Sequence, residues 1–374
     1  MITTIRRKAA ATLVSSGLVA GAFVAQAAPA GAATFTVRPG QSIQAAIDAA
    51  PPGSTIVVKP GTYRENLTIE KNNITLQGTP GQTILKPPAN PVGRCVQPGP
   101  PGGPPSVIGI CVIGNGNPDT GTVTSPVTGV SVTGFTVRNF SADGIFVFGG
   151  QNTVMQDNTL VNNGEYGVFA NTSTGTVILD NRASGSGEAG IYVGDSPNAQ
   201  AVVKNNTVFG NGFGIFIRSA SNGAIVANDA HDNCIGIFFL EAPNSPADWA
   251  ATRNQVNHNI KACPANDEEG APPISGGGIV ILGGHQIVIQ ANTVDDNRPS
   301  GPTFVSGGIV LIAGSSNNQI VSNTAHGNAP ADLIDQSGAS NHFSNNNCDT
   351  SIPRRLCGRT VTTTPATTTP PPGG

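Results

Sequence analysis

Three charged residues stand at a constant interval. Asp195, Arg218 and Glu241 are each 23 residues from the next. Two carboxylates flanking a guanidinium suit two reactions. If the interval is one turn of a repeating chain, Asp195 and Glu241 lie two strand spacings apart, about 9.5 Å. That is the wide end of the separation at which an inverting glycosidase holds a water between its two carboxyl groups. Alternatively, the arginine abstracts or polarises the proton α to a uronate carboxylate while the acids hold a metal. The plainer account is an arginine bridging two surface carboxylates, which contributes little. Glu165 and Glu188 repeat the 23-residue interval with Tyr166 alongside, and solvated turn residues are the plainer account there. His231, Asn257, Asp295 and His326, flanked by Asp229, Asp232, His258 and Asp296, form a rival group that could bind a metal or supply a base. Isolated surface histidines are the plainer account of that group.

The interval is the period of a repeat. Gly-Ile or Gly-Val pairs begin at Gly144, Gly167, Gly190, Gly214 and Gly236, in steps of 23, 23, 24 and 22 residues. A period in the low twenties, with short strands and Asn/Gly turns, specifies a solenoid whose units bury their apolar faces only by stacking. Alternation after each glycine turns Ile145 and Val147, Val168 and Ala170, Ile191 and Val193, Ile215 and Ile217, and Ile237 and Phe239 inward. Asparagines fall into two columns. One holds Asn158, Asn181, Asn206, Asn228, Asn254, Asn292 and Asn323; the other holds Asn139, Asn163, Asn211, Asn233, Asn259, Asn297 and Asn328. Asparagine tolerates left-handed backbone and bonds to its own turn, and stacked amides can bond along a column.

Composition agrees. Charged residues are 11% of the 374, against about 25% in ordinary domains, and there are 48 glycines. Residues 1–33 read as a secretory signal peptide: Arg6-Arg7-Lys8, an apolar stretch from Ala9 to Val24, then small-x-small sites at Ala25-Gln26-Ala27 and Ala30-Gly31-Ala32. The arginine pair hints at twin-arginine export. Removing the segment takes the net charge from −3 to −6, a poor balance for nucleic acid. No later apolar run is long enough to span a membrane. The expected location is therefore secreted or extracellular, and the expected state monomeric. Six cysteines in an exported chain imply disulfides. Cys234 follows Asn233, and Cys263 comes just after the equivalent Asn259, so the repeat favours that pair. Cys95 with Cys111 and Cys348 with Cys357 are then local pairs. Zinc is disfavoured, because no CxxC pair or His cluster accompanies them.

In chain order, residues 34–60 read as an N-terminal cap with one helix, Ser42 to Ala50, started by Gln41 or Ser42 and stopped by Pro51-Pro52-Gly53. Residues 87–105 are a Pro/Gly-rich loop. Regular rungs run from about 127 to 340, within one β-helix domain spanning 34–358. Insertions follow Gly236: Leu240 to Ala251 with the only tryptophan, Trp249; Cys263 to Gly276 with Asp267-Glu268-Glu269; and Arg298 to Ser306. Loops of this kind, beside a rigid scaffold, are where function concentrates. Residues 359–374 are a Thr/Pro tail expected to be disordered.

The phrase Asn-Thr-x-x-x-Asn-Gly-x-x-Gly-Ile resembles the repeat of right-handed parallel β-helix proteins of the pectin-lyase-like superfamily. Val37-Arg38-Pro39-Gly40-Gln41-Ser42-Ile43-Gln44-Ala45-Ala46-Ile47 followed by Pro60-Gly61-Thr62-Tyr63 is similar to their N-terminal cap. Gly190 to Ala199 looks like a group of secreted actinobacterial β-helix proteins, mostly without assigned activity. The resemblance covers residues 34–358 and implies an all-β, single right-handed parallel β-helix. It carries over no catalytic residue. Asp-Pro-His of alginate epimerases, Gln-Asp-Thr-Leu of pectin methylesterases, the polygalacturonase set and Trp-Ile-Asp-His of pectate lyases are all missing. The resemblance also implies that the outer face of the Gly-Ile sheet is the substrate groove. There Phe146, Phe169, Tyr192, Phe216 and Phe238, then Val280 and Val310, would stack about 4.8 Å apart as a strip suited to sugar rings. The expectation is a protein that binds, and as an enzyme cleaves, a polysaccharide or cell-wall glycan. Asp195, Arg218 and Glu241 would be catalytic, and Phe169, Tyr192, Phe216, Phe238 and Trp249 would hold substrate. The alternative is a non-catalytic wall- or surface-associated β-helix. The sequence requires no cofactor and leaves room for a divalent cation such as Ca.

Overall fold

The computed structural model describes residues 31–99, 103–266, 270–358 and 361–363. Nearly all of the expected signal peptide, the acidic run Asp267-Glu268-Glu269 and most of the Thr/Pro tail lie outside these residues.

The described chain is a parallel β-helix with three long sheets, one strand of each per turn. Among the described residues sheet A has 13 strands, and sheets B and C have 11 each. The first complete turn is Thr55–Val58 in A, Gly61–Arg64 in B and Leu67–Ile69 in C. Three-sheet turns therefore begin well before residue 127. They were illegible because the early turns lack the asparagine phrase and residues 87–109 interrupt the second one. The helix, Ile43–Ala49, covers the N-terminal end with Ile43 and Ile47 buried. Ser42 caps it, accepting from the Ala45 amide at 3.1 Å. The Glu65 carboxylate, one sheet away, accepts from the Ile43 and Gln44 amides at 2.9 and 3.1 Å. At the other end Val361–Thr362, assigned by sequence to the tail, pairs antiparallel with His342–Ser344 and covers part of the last edge of sheet A.

The inward residues predicted on sheet C are all buried. Between sheets, the asparagine columns are buried amide ladders. In the A–B turn, Asn206 accepts at Oδ1 from the backbone N–H and side-chain amide of Asn181, at 2.9 and 3.0 Å. It donates from the same two groups to Asn228 Oδ1, and its amide also reaches the Ile178 carbonyl at 2.9 Å. The pattern continues from Asn158 to Asn346. The left-handed residue is not the ladder asparagine but the one before it. Asp157, Asp180, Asn205, Ala227, Arg253, Ala291, Ser322 and Asn345 all have φ of 54–55°.

The B–C ladder runs from Asn211 through Asn233, Asn259 and Asn297 to Asn328, and ends on the Asp332 carboxylate. It explains the glycine of the repeat. A Cβ at Gly190 would stand 2.9 Å from the Asn211 amide nitrogen and 3.0 Å from the Gly214 carbonyl oxygen. Both ladders start beneath a phenylalanine: Phe135 donates its N–H to Asn158, and Phe140 donates to Asn163. The column position in the first B–C turn is thus Phe140, not Asn139, whose φ of 63° makes it the preceding turn residue. Ser186 breaks the B–C ladder: its N–H reaches Asn211, while its buried hydroxyl has no partner.

The three disulfides are Cys234–Cys263, the pair the repeat register favoured, and the two local pairs Cys95–Cys111 and Cys348–Cys357. They suit an oxidising, extracytoplasmic compartment. Among the described residues no helix is long and apolar enough to cross a membrane.

Two substitutions test the ladders by denaturant unfolding. Asn206→Ala orphans buried groups on both neighbouring turns and should cost about 3 kcal/mol. Ser186→Asn supplies the missing rung and should stabilise by about 1 kcal/mol. A neutral Asn206→Ala would remove the ladder from the account of stability.

Candidate functional site: a roofed aromatic cavity

The outward residues of sheet C form a continuous ring stack. Centroids are 4.5 Å apart for Phe169–Tyr192, 4.9 Å for Tyr192–Phe216 and 5.4 Å for Phe216–Phe238, with interplanar angles of 25°, 18° and 9°. Register pairing puts the four in one column. A second file runs beside them: Tyr166 lies 5.0 Å from Tyr192, and Phe213 lies 4.7 Å from Phe216. Sequence reasoning missed Tyr166 and Phe213 as ring partners. Strict alternation turns them inward, but the glycine that follows each one breaks the phase, so they face the same way as the residue three further on. The signal was present as an aromatic directly before Gly167 and Gly214.

The expected open strip is a covered floor. Tyr192, Phe216 and Phe238 are 3–6% exposed. At the N-terminal end, Phe146 and Phe148 pack under Cys95, Ile108 and Val123. At the C-terminal end, Val280 and Val310, with Ile334 next in their column, pack with Val305 and Ile274. Over the middle arches a hairpin in which Cys263 and Ile274 exchange backbone bonds at 2.9 and 3.0 Å, as do Asn266 and Ala271 at 2.9 Å. The Cys234–Cys263 bond pins its base to sheet C. Phe304, from the 298–306 insertion, bonds to the hairpin at Pro273. Floor and roof enclose a cavity of about 940 Å³, within the range of ligand sites.

Cations stand on both sides of this cavity. Arg218, ending its strand on the side toward sheet A, places Nη1 3.4 Å from the Tyr192 hydroxyl and 3.9 Å from the Asp195 carboxylate. Lys261, at the base of the roof on the side toward sheet B, donates to the Gly210 carbonyl at 2.8 Å. Burial holds its pKa below the usual range. Glu188 also lines the cavity. Burial raises Asp195, and the Arg218 charge only partly offsets this. Burial likewise pushes Tyr192 up to about 12 against the bonding of Arg218. Beneath the floor's N-terminal end, Asp143 is buried and accepts from the Tyr166 amide at 3.2 Å. Burial and the neighbouring Glu165 charge hold its carboxyl well above the usual range.

The 23-residue interval overstated one alignment. This turn has 24 residues, so Arg218 pairs with Gly194, and Leu240 pairs with Arg218. Asp195 instead continues into Ser219 and Glu241, one position further along. Glu241 is exposed and lies against Gly283, outside the cavity lining. The structure therefore joins Asp195, Arg218 and Tyr192 and leaves Glu241 apart. Trp249 is corrected outright. It belongs to the sheet A strand Ala247–Thr252, is 1% exposed, and donates from Nε1 to the Ala220 carbonyl at 2.8 Å. Its ring fills the interior over side-chain-less Gly223, so it cannot touch a ligand on sheet C.

The histidine group shares the outer column of sheet B, as the register required. Its polar atoms are committed to one another. Asp232 accepts from His231 Nδ1 at 2.7 Å and pairs with His258 Nδ1 at 2.5 Å, and His326 pairs with Asp349 at 3.0 Å. Burial raises the Asp232 carboxyl, but these two histidines outweigh it and hold it low. Among the described residues no group of three or more His, Cys, Asp or Glu is placed to hold a metal.

All three tyrosines, Tyr63, Tyr166 and Tyr192, have raised pKa values, chiefly through burial. Unfolded tyrosine ionises near 10, so the protein should lose stability from about pH 10 upward as the unfolded chain releases protons the fold retains. A near-ultraviolet titration should show Tyr166 and Tyr192 ionising above the usual tyrosine range. Ordinary titration of these two near pH 10 would contradict the covered floor.

A sequence model of the family described as periplasmic copper-binding protein (NosD) matches residues 106–269, less than half of the chain. No curated protein matches by sequence. Similar solved structures include the A-module of a mannuronan C-5 epimerase from Azotobacter vinelandii, at 18% identity and TM-score 0.55, covering 82% of this chain and 90% of that one. A DFA-IIIase from Arthrobacter chlorophenolicus without its lid is similar at 13% identity and TM-score 0.55, covering 84% and 94%. A surface adhesin of Streptococcus pneumoniae is similar at 13% and TM-score 0.54, covering 82% and 85%. At these identities the likeness speaks to fold. With the three sheets of parallel strands, it shows the fold to be a parallel β-helix.

Proposed function

We propose that the protein binds an acidic oligosaccharide segment of an extracellular glycan in the roofed cavity. The observation that carries this reading is the Tyr192–Phe216–Phe238 stack with Arg218 at its edge, bonded to the Tyr192 hydroxyl. The stacked rings fill one another's faces, so they offer a sugar's apolar C–H groups a wall of ring edges, and a guanidinium takes a carboxylate through paired, charge-assisted bonds. Lys261 on the opposite side supplies a second positive group. Similar structures that include a mannuronan-modifying enzyme and a surface adhesin add support without deciding between them.

Binding is better supported than cleavage. An inverting hydrolase needs two carboxylates on one substrate. Here Asp195 is paired with Arg218, and Glu241 lies outside the cavity. One observation favours a lyase as the second reading: once a lining carboxylate such as Glu188 has taken the proton α to the uronate carboxylate, the Tyr192 hydroxyl beside Arg218 could give its proton to the departing sugar oxygen while Arg218 neutralises the uronate. Its raised pKa makes it an acid rather than a base at neutral pH.

Titration calorimetry against tetra-uronates, run beside assays for reducing ends and unsaturated-uronate absorbance, tests both readings. Arg218→Ala should weaken binding about tenfold or more while keeping the wild-type unfolding midpoint within a few degrees, and Phe216→Ala should also weaken it, together with a loss of stability from the opened ring stack. Binding without new absorbance confirms a glycan receptor. Appearance of the unsaturated product, lost in Tyr192→Phe, would favour the lyase. Affinity unchanged by Arg218→Ala would remove the cavity from the reading.

A further inference from the structure

A second hollow begins where the aromatic cavity ends. It has about 310 Å³ and lies in the turn between sheets C and A, lined by residues of four successive turns of the chain. Asp195 is the post between the two spaces: its carboxylate lines this hollow and stands 3.9 Å from Arg218, which lines the aromatic cavity. The hollow's floor is a stack of left-handed backbone positions, Gly149, Thr172, Asp195 and Ser219, with φ of 60°, 48°, 49° and 49°. A left-handed threonine is uncommon, and such strain persists only where surrounding structure enforces it. Here the turn-to-turn bonds from Gly149 N–H to Asn171, Thr172 N–H to Gly194 and Asp195 N–H to Arg218 enforce it.

The chemistry of the hollow differs from that of the cavity. Val123, Pro126 and Pro197 give apolar surfaces. Gln151 and Asn198 give amides. Asn198 Oδ1 accepts from Gln200 and Asn222, and Gln151 Oε1 accepts from Thr128, so with the oxygens engaged the NH2 is the group each amide has to offer a ligand. Asp195 is the one charged residue in the lining. Apolar surface against a ring's C–H face, amide donors for hydroxyl or acetamido oxygens, and a carboxylate accepting from hydroxyls together suit an uncharged sugar. A uronate placed there would meet Asp195.

We propose that this hollow is a second sugar subsite, selective for a neutral residue, so that the ligand is a mixed glycan in which a uronate in the aromatic cavity is linked directly to an uncharged sugar. The inference rests on the cavity reading above and adds to it the neighbouring unit. A homopolymer of uronates fits only half of the combined site.

The test compares two probes by titration calorimetry on the disulfide-intact protein: a tetra-glucuronate, and a tetrasaccharide alternating glucuronate with N-acetylglucosamine. The alternating probe offers a neutral neighbour to any uronate in either direction. It should bind about tenfold tighter, the worth of one well-made polar contact set. The Gln151→Ala/Asn198→Ala double variant, altered only at exposed side chains, should erase that preference and leave tetra-glucuronate affinity unchanged. Asp195→Asn should act oppositely, tightening tetra-glucuronate by removing the repulsion. Equal affinity of the two probes, or a preference that survives the double variant, overturns the neutral subsite while leaving the cavity reading intact. Failure of both probes to bind, or binding indifferent to Arg218→Ala, overturns both.

Discussion

The buried asparagine ladder is the interaction on which the rest depends. A parallel β-helix leaves backbone groups in its turns that the sheets cannot pair. Here one amide per turn meets that need three ways: it accepts from the turn below, donates to the turn above and holds a carbonyl of its own corner, Lys204 in the case of Asn206. Because each asparagine is bonded on both sides, the turns cannot slip relative to one another. Register then places the aromatic side chains of sheet C one strand spacing apart, which is what makes a stack rather than a scatter of rings. The ladder also accounts for Gly144, Gly190, Gly214, Gly236, Gly278 and Gly308, where a Cβ would stand 2.7–3.0 Å from a column asparagine's amide nitrogen.

Most of the architecture was legible because it is periodic. The asparagine columns, the inward aliphatics and the Gly-Ile phase all recur, and recurrence is visible in one sequence. Even the Cys234–Cys263 bond was legible, since both residues follow the same ladder position on adjacent turns. What was not legible lies in the departures from the repeat. Trp249 falls in an apparent insertion, but Ala247–Thr252 is a sheet A strand, and the cue was Gly223 one turn earlier, a vacancy of the size of an indole. Arg218 was placed one position off because its turn holds 24 residues instead of 23. Tyr166 and Phe213 were hidden by the break in alternation at the glycine.

The roof changes the functional meaning of the aromatic strip. An exposed row of rings would suit a long polymer lying along the solenoid. Here the row is blocked at one end by the Cys95–Cys111 loop and at the other by residues near Val305. The hairpin based on Cys263 and Ile274 closes the middle. What remains is a cavity with charged sides that opens past Arg218 and Asp195 toward the hollow lined by Gln151 and Asn198. Under the proposed function such a shape would select a short stretch of glycan by its charge pattern, and the insertions that create it are absent from the repeat itself.

The central claim is that this cavity holds an acidic sugar against Tyr192 and Phe216 with its carboxylate on Arg218. A crystal structure of the disulfide-intact protein soaked with an oligo-uronate tests it most directly. The account predicts a pyranose ring packed against the edges of the Tyr192 and Phe216 rings beneath the hairpin based on Cys263 and Ile274, with its carboxylate within hydrogen-bond distance of the Arg218 guanidinium. Sugar bound elsewhere on the solenoid while the cavity stays free of it would contradict the account.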